Sequence, residues 1–111
     1  MALRDGFYRV RFSAGIANWG LVVVEGMTVR GGDNQYLFSG VIREEGALSM
    51  VTLRVLAHAI HAVTTGGSSS KNFELTLTGS ASNHSFELSG PFPETSTPIV
   101  VHGNWLANLD L

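Results

Sequence analysis

Cysteine is absent from this sequence of 111 residues, so disulfide bonds, thiolate nucleophiles and cysteine-ligated zinc sites are excluded. Charged residues are scarce, at 14% of the chain, where an average protein has about 25%. The longest wholly apolar run, Leu21 to Val24, is far too short to span a membrane. Residues 1 to 6 lack the apolar core of a signal peptide. We therefore expect a soluble, cytoplasmic protein without a membrane partner.

Positive charge is neither abundant nor clustered. Lys and Arg total 7, Asp and Glu total 9, and the net charge is −2. The closest group of basic residues, Arg4, Arg9 and Arg11, has Asp5 in its midst. Contacts to phosphates supply most of the affinity for nucleic acids and need clustered Lys and Arg. The sequence therefore predicts that nucleic acid is not a partner.

Apolar residues and glycine are what the chain does contain. Apolar residues make up 44% of it, which is enough for a hydrophobic core, and 13 residues are glycine. Few charges, many glycines and many β-branched residues are typical of short strands joined by tight turns. The length fits one domain, which we place at residues 1–111.

Apolar and polar residues alternate along most of the chain, as they do in half-buried strands. The pattern predicts about eight strands, centred on Phe7 to Ser13, Trp19 to Glu25, Met27 to Arg30, Gln35 to Ile42, Leu48 to Ala57, Phe73 to Thr78, Phe86 to Ser89 and Ile99 to Leu106. The turns between them are predicted at Glu25-Gly26, Gly31 to Asn34, Arg43 to Gly46 and Ser80 to His84.

Short loops between successive strands favour a meandering antiparallel order. Eight strands suit a small barrel, whose closure removes exposed sheet edges. We therefore predict an all-β fold, a single lipocalin-like antiparallel barrel, and keep a two-sheet sandwich as the alternative. Residues 47–63 fit both a strand and a helix, so a short helical turn can follow the strand that ends at Ala57.

The sequence contains no motif that carries catalysis or holds a cofactor. His58 and His61 are three residues apart, but neither has a carboxylate close in sequence, and a metal site needs three or four convergent ligands. There is no Gly-x-Ser-x-Gly nucleophile elbow. Gly31-Gly32-Asp33 lacks the Gly-Lys-Ser/Thr ending of a phosphate loop. We expect a protein that is not an enzyme and needs no metal or other cofactor.

Two groups of residues are candidates for binding. Glu44 and Glu45 form the only adjacent pair of carboxylates and are expected in a turn, where they are either ordinary surface charge or a contact patch for a protein partner. The second group is apolar and is predicted to face the barrel interior, where it lines either a cavity for a small apolar ligand or a filled core. Its members are Phe73, Leu75, Phe86 and Trp105.

Several short motifs follow one another in an order that is found in a known family. They are Asp5-Gly6-Phe7-Tyr8, Val29 to Asp33, Tyr36 followed by Gly40-Val41, and Phe73 to Gly79. In this order they resemble the GrlR-type negative regulators of bacterial type III secretion and their uncharacterised relatives. The resemblance covers nearly the whole chain and is best over residues 5–42.

The resemblance implies a lipocalin-like β-barrel that forms a homodimer and regulates without catalysis. It further implies a transcription-regulator protein as the partner, bound through an acidic surface loop. That loop carries a longer acidic run in the characterised regulator, whereas here Glu44 and Glu45 stand at the same place and are followed by Gly46.

Overall fold

The computed structural model describes residues 3–13, 17–58, 72–93 and 97–111. These ranges contain eight strands: β1 (Gly6–Ser13), β2 (Ala17–Glu25), β3 (Thr28–Gly32), β4 (Tyr36–Glu45), β5 (Leu48–Ala57), β6 (Asn72–Ala81), β7 (Ser85–Pro91) and β8 (Pro98–Ala107). Each strand pairs antiparallel with the next, and β8 pairs with β1, so the sheet closes into a barrel. The predicted all-β fold, a small barrel of eight antiparallel strands, is confirmed, and the sandwich alternative is wrong.

The alternation of side chains along each strand separates a core from an outer surface. On β1, Tyr8, Val10 and Phe12 are buried inside the barrel, while Arg9 and Arg11 are exposed outside. The same period of two recurs on the other strands, because successive residues of a strand point to opposite faces of the sheet. Leu48–Ala57 forms the predicted strand, and residues 59–63, where a helical turn was the alternative, lie outside the described residues.

The barrel has two different ends. The upper end is where β1, β3, β5 and β7 end, and the lower end is where β2, β4, β6 and β8 end. Leu3 is buried at the lower end and Phe92 at the upper end, so an apolar side chain lies inside each. The described part of the chain contains no helix with the length and apolar character needed to cross a membrane.

The hairpin between β2 and β3 differs from its prediction. Glu25 pairs with Thr28, so the connection is Gly26-Met27, and β3 begins one residue later than the predicted strand. Both residues of the connection have positive φ, 56° for Gly26 and 67° for Met27. A two-residue hairpin of this kind follows the right-handed twist of its strands. Met27 therefore lies in the turn and not in β3, because this turn matches the twist of the two strands.

The predicted turn at Gly31 to Asn34 is also wrong in its first half, since Gly31 and Gly32 are the last residues of β3. A side chain on Gly31 would place its Cβ 2.0 Å from the carbonyl oxygen of Leu21. The glycine is therefore required for the close approach of β3 to β2 rather than for a turn. The turn itself begins at Asp33, whose carboxylate accepts hydrogen bonds from the backbone N–H groups of Gln35 and Tyr36.

The remaining corrections concern the lower hairpins. Arg43, Glu44 and Glu45 were predicted in a turn but are the last residues of β4, because Glu45 still pairs with Leu48. Gly46, with a φ of 62°, begins the two-residue connection that follows. In the same way, residues 80 and 81 of the predicted loop belong to β6.

Candidate binding surface

Titratable side chains do not converge on a reactive centre in the described ranges. No group of three or more His, Asp or Glu side chains there could hold a metal ion. The Nε2 atom of His58 lies 3.0 Å from the carbonyl oxygen of Asp33 and so closes the β3–β4 connection, whereas His61 is outside the described residues. The Nε2 atom of His102 lies 3.4 Å from a carboxylate oxygen of Glu87, and the two side chains are 39% and 60% exposed. An exposed pair of this kind contributes little to stability.

Two small apolar cavities lie inside the barrel. The upper one includes Phe73 and Leu75 among its lining residues, and the lower one includes Phe86 and Leu3. Each has a volume of about 30 Å³. Pockets for small organic ligands have volumes of roughly 300–1,000 Å³. The interior around these residues is therefore close to filled.

Trp105 lines neither cavity. It lies at the lower end of β8, where its indole Nε1–H donates to the carbonyl oxygen of Asp5 at 3.2 Å. The Arg4 guanidinium lies 3.9 Å from the ring centroid, and the His84 ring packs edge-on against the indole. Trp105 thus fastens the N-terminal segment to the barrel. The four residues predicted to line one cavity are distributed over three places.

The hydroxyl of Tyr36 is a feature of the upper cavity that sequence reasoning missed. Tyr36 is only 5% exposed, and its Oη atom is the one buried side-chain polar atom of the described residues that lacks a hydrogen-bond partner. The side chain lines the upper cavity together with Phe73 and Phe92. Its ring packs against that of Phe73, which packs in turn against that of Phe92. Burial raises the pKa of this hydroxyl, and the nearby carboxylate of Asp33 adds to the effect.

Glu44 and Glu45 do not form a joint acidic patch. As neighbours on β4 they project to opposite faces of the sheet. Glu44 lies on the inner face of β4, as the buried Ile42 does, and is half-buried. Glu45 lies on the outer face and is exposed. Only Glu45 is therefore placed to contact a partner from the outer surface.

The outer surface of β2 to β5 carries a row of apolar side chains near the upper end. Leu21 on β2 pairs with Gly32, Gly32 pairs with Leu37 on β4, and Leu37 pairs with Leu56 on β5. The three leucines are about half exposed, at 56%, 49% and 49% in this order. Trp19, two residues from Leu21 on the same face of β2, is 57% exposed. These positions form one apolar strip across four strands.

Arginines border this strip on two sides. Arg9 pairs with Leu21, and Arg11 pairs with Trp19, with its guanidinium 5.9 Å from the centre of the indole ring. The next outward row toward the lower end runs from Arg30 on β3 through Ser39 on β4 to Arg54 on β5. We call this region the arginine–leucine face, which comprises Arg9, Arg11, Trp19, Leu21, Arg30, Leu37, Arg54 and Leu56.

The arginine–leucine face is grooved. An open groove of about 720 Å³ is lined by Arg30, Leu37, Ser39, Arg54 and Leu56, among others. A second groove, of about 630 Å³, lies between Arg9, Trp19, Leu21 and the loop at Asp33. Gly32 stands between Leu21 and Leu37 in this row, and a Cβ there would lie 2.7 Å from the carbonyl oxygen of Tyr36, so the position has no room for a side chain. The face can therefore receive protruding side chains of another molecule.

No protein-family model matches this chain, and no curated protein has a significantly similar sequence.

Proposed function

We propose that this protein is a non-enzymatic regulator that acts in the bacterial cytoplasm by binding another protein through the arginine–leucine face. The observation that carries the proposal is the row of half-exposed apolar residues Leu21, Leu37 and Leu56 across neighbouring strands. Contiguous exposed apolar side chains bordered by polar residues are typical of interaction sites. A binding role of this kind is also what the resemblance to GrlR-type regulators implies.

The outer surface supports a binding role better than the interior does. The two interior cavities, at about 30 Å³ each, leave room for no more than about one water molecule apiece. The outer grooves are more than ten times larger and have both apolar and charged walls. Such a mixture of apolar centre and polar border is typical of protein interfaces.

A capture experiment with matched leucine variants tests the proposal. The tagged protein, Leu37→Ser and Leu48→Ser are each used to capture partners from lysate of the native cell, and the captured proteins are compared by mass spectrometry. Leu48 is 59% exposed, also lies on the outer surface, and is outside the arginine–leucine face. We expect Leu37→Ser to lose a partner that the native protein and Leu48→Ser retain. Equal capture by all three proteins would contradict the proposal.

The acidic contact implied by the resemblance is tested in the same experiment. Because Glu45 is exposed and Glu44 is half-buried, Glu45→Gln is expected to weaken capture while Glu44→Gln leaves it unchanged. If neither substitution alters capture, the acidic contact is absent from this protein, and the leucine result then decides the proposal alone. The homodimer implied by the resemblance stays a prediction, which light scattering of the purified protein will check.

The unpartnered hydroxyl of Tyr36 favours a second candidate function, the binding of a small apolar ligand with one hydrogen-bonding group. Tyr36 lines the upper cavity with Asp33 and mostly apolar residues, and a hydrogen-bonding group of a ligand bound there would satisfy its hydroxyl. The upper cavity would have to expand from about 30 Å³ for this purpose. Native mass spectrometry of gently purified protein should then show added mass that Tyr36→Phe loses, and spectra of the bare chain alone would exclude this function.

A further inference from the structure

Arg30 and Arg54 lie on either side of Ser39 in one row of the outer surface. β3 and β5 are separated by β4 alone, so the two Cα atoms are about 10 Å apart. Both arginine side chains are exposed, and the small side chain of Ser39 leaves the space between them open. Two guanidinium groups can therefore reach one anionic group placed above Ser39.

The positive charge of the face exceeds the negative charge of its neighbours. No carboxylate of the described residues lies within ion-pair distance of Arg9, Arg30 or Arg54. Two carboxylates border the face. That of Asp33 already accepts two backbone N–H groups, and that of Glu74 stands opposite Arg54 on β6 without forming an ion pair. The face thus has excess positive charge although the whole chain has a net charge of −2.

From this arrangement we infer that the partner segment bound by the arginine–leucine face is acidic as well as apolar. Its apolar side chains pack on Leu37 and Leu56, and one of its carboxylates lies over Ser39 between Arg30 and Arg54. Guanidinium–carboxylate contacts of this kind are charge-assisted and directional, so they would fix the register of the segment on the barrel. The inference rests on the proposed function and adds the chemistry of the partner.

A second copy of this chain fits the face poorly. A two-fold contact would bring the same surface of both copies together, so that the four arginines of each copy would enter one interface with few carboxylates to balance them. Like charges facing each other across an interface oppose association. A nucleic acid would satisfy the arginines, but Trp19 at the border is the single aromatic residue of this face, and the leucines at its centre offer no plane on which bases stack. An acidic, apolar protein segment satisfies both parts of the face.

The test uses synthetic peptides of 12 residues, measured by fluorescence anisotropy. In one peptide Leu and Glu alternate, and in the other Leu and Lys alternate, so the two differ only in the sign of their charge. We expect the Leu–Glu peptide to bind, and its Kd to increase about tenfold for Arg30→Gln/Arg54→Gln, since contacts to a charged group are lost. Arg43→Gln is the matched control, because Arg43 is also exposed on the outer surface of β4 but lies outside the face.

A substitution at the centre of the site provides a second measurement. Ser39→Glu would place a carboxylate between the two arginines of the protein itself, whereas Ser39→Gln has the same size without the charge. We expect Ser39→Glu to abolish binding of the Leu–Glu peptide and to melt at a higher temperature than Ser39→Gln, because it pairs with Arg30 and Arg54 across the strands. Equal melting temperatures and equal peptide binding would overturn the inference.

The outcomes separate this inference from the proposed function. If cellular capture is lost with Leu37→Ser but unchanged with Arg30→Gln/Arg54→Gln, the face binds a partner that is not acidic, and the inference alone fails. If Leu37→Ser leaves capture unchanged, the proposed function fails as well. Equal binding of the two peptides, tighter binding of a thymidine 12-mer than of the Leu–Glu peptide, or a dimer that Leu37→Ser dissociates would each overturn the inference.

Discussion

Phe86 on β7 lies over Gly103, its paired residue on β8, so closely that a Cβ on Gly103 would lie 2.1 Å from the aromatic ring. The ring therefore occupies the space that any other residue at position 103 would need. It packs there against Tyr8, with ring centroids 5.4 Å apart. The glycine thus allows a large aromatic residue to fill the lower half of a narrow barrel.

We expect Gly103→Ala to destabilise the protein by about 2 kcal/mol, because the added methyl group must displace the ring of Phe86 within a packed core. Urea denaturation followed by circular dichroism will measure the loss. Phe86→Leu provides the control, since it makes room for the methyl group. The double variant should therefore lose less stability than the sum of the two single losses. Additive losses would show that the ring and the glycine are not coupled.

The two buried tyrosines differ in whether the hydroxyl has a hydrogen-bond partner. The hydroxyl of Tyr8 donates to the carbonyl oxygen of Arg4 at 2.7 Å, whereas that of Tyr36 has no partner. We expect Tyr8→Phe to lose about 1 kcal/mol of stability and Tyr36→Phe to gain about 1 kcal/mol, since an unpaired buried hydroxyl is costly. Thermal denaturation at neutral pH will compare them. A loss with Tyr36→Phe would show that its hydroxyl has a partner in solution, as the ligand-binding alternative requires.

The stability of the protein at alkaline pH should depend on Tyr8 and Tyr36. Burial raises the pKa of both tyrosines above the ordinary value of 10.0. The unfolded chain therefore releases these protons at a lower pH than the folded protein does. Their contribution to stability is complete below pH 10 and declines as the pH rises toward the pKa values of the folded protein. Urea midpoints measured across this range should fall less steeply for Tyr8→Phe/Tyr36→Phe than for the native chain.

The strands were predictable from the sequence, but most of their ends were not. Alternation of buried and exposed residues identified Leu48–Ala57 to the residue, because each side chain of a half-buried strand has one of two environments. The prediction misplaced Gly31 and Gly32 because glycine is common in turns, and it misplaced Glu44 because this residue lies in a charged run that ends at Gly46. Close contact between strands, which depends on three-dimensional packing, keeps the two glycines in β3.

The arginine–leucine face could not be predicted from one sequence. Leu21, Leu37 and Leu56 are far apart in the chain, and each alone is an ordinary exposed apolar residue. They become neighbours only through the registers of three strand pairs. A shift of one residue in any register would turn a leucine of this row into the core. The four interior candidates lie in different places for the related reason that one phase of alternation does not show which residues share a cavity.

Met27 has a backbone conformation that suits asparagine better than methionine. Its φ of 67° lies in the left-handed region, which costs most side chains about 1 kcal/mol. We expect Met27→Asn to raise the free energy of unfolding, because asparagine tolerates this region. The loss of some apolar contact reduces the gain, so that about 0.5 kcal/mol remains. Met50→Asn, on β5, is the control and should not stabilise. If both variants lose equal stability, the turn does not carry this strain.

Asp33 holds the turn between β3 and β4 through its side chain. One carboxylate oxygen accepts hydrogen bonds from the backbone N–H groups of Gln35 at 2.8 Å and of Tyr36 at 2.7 Å. We expect Asp33→Ala to lose about 1 to 2 kcal/mol of stability, because both N–H groups lose their acceptor. Asp33→Asn keeps a carbonyl oxygen at this position and should lose much less, and Asn34→Ala, in the same loop, should have no effect. Equal urea midpoints for Asp33→Ala and Asn34→Ala would show that the turn forms without the carboxylate.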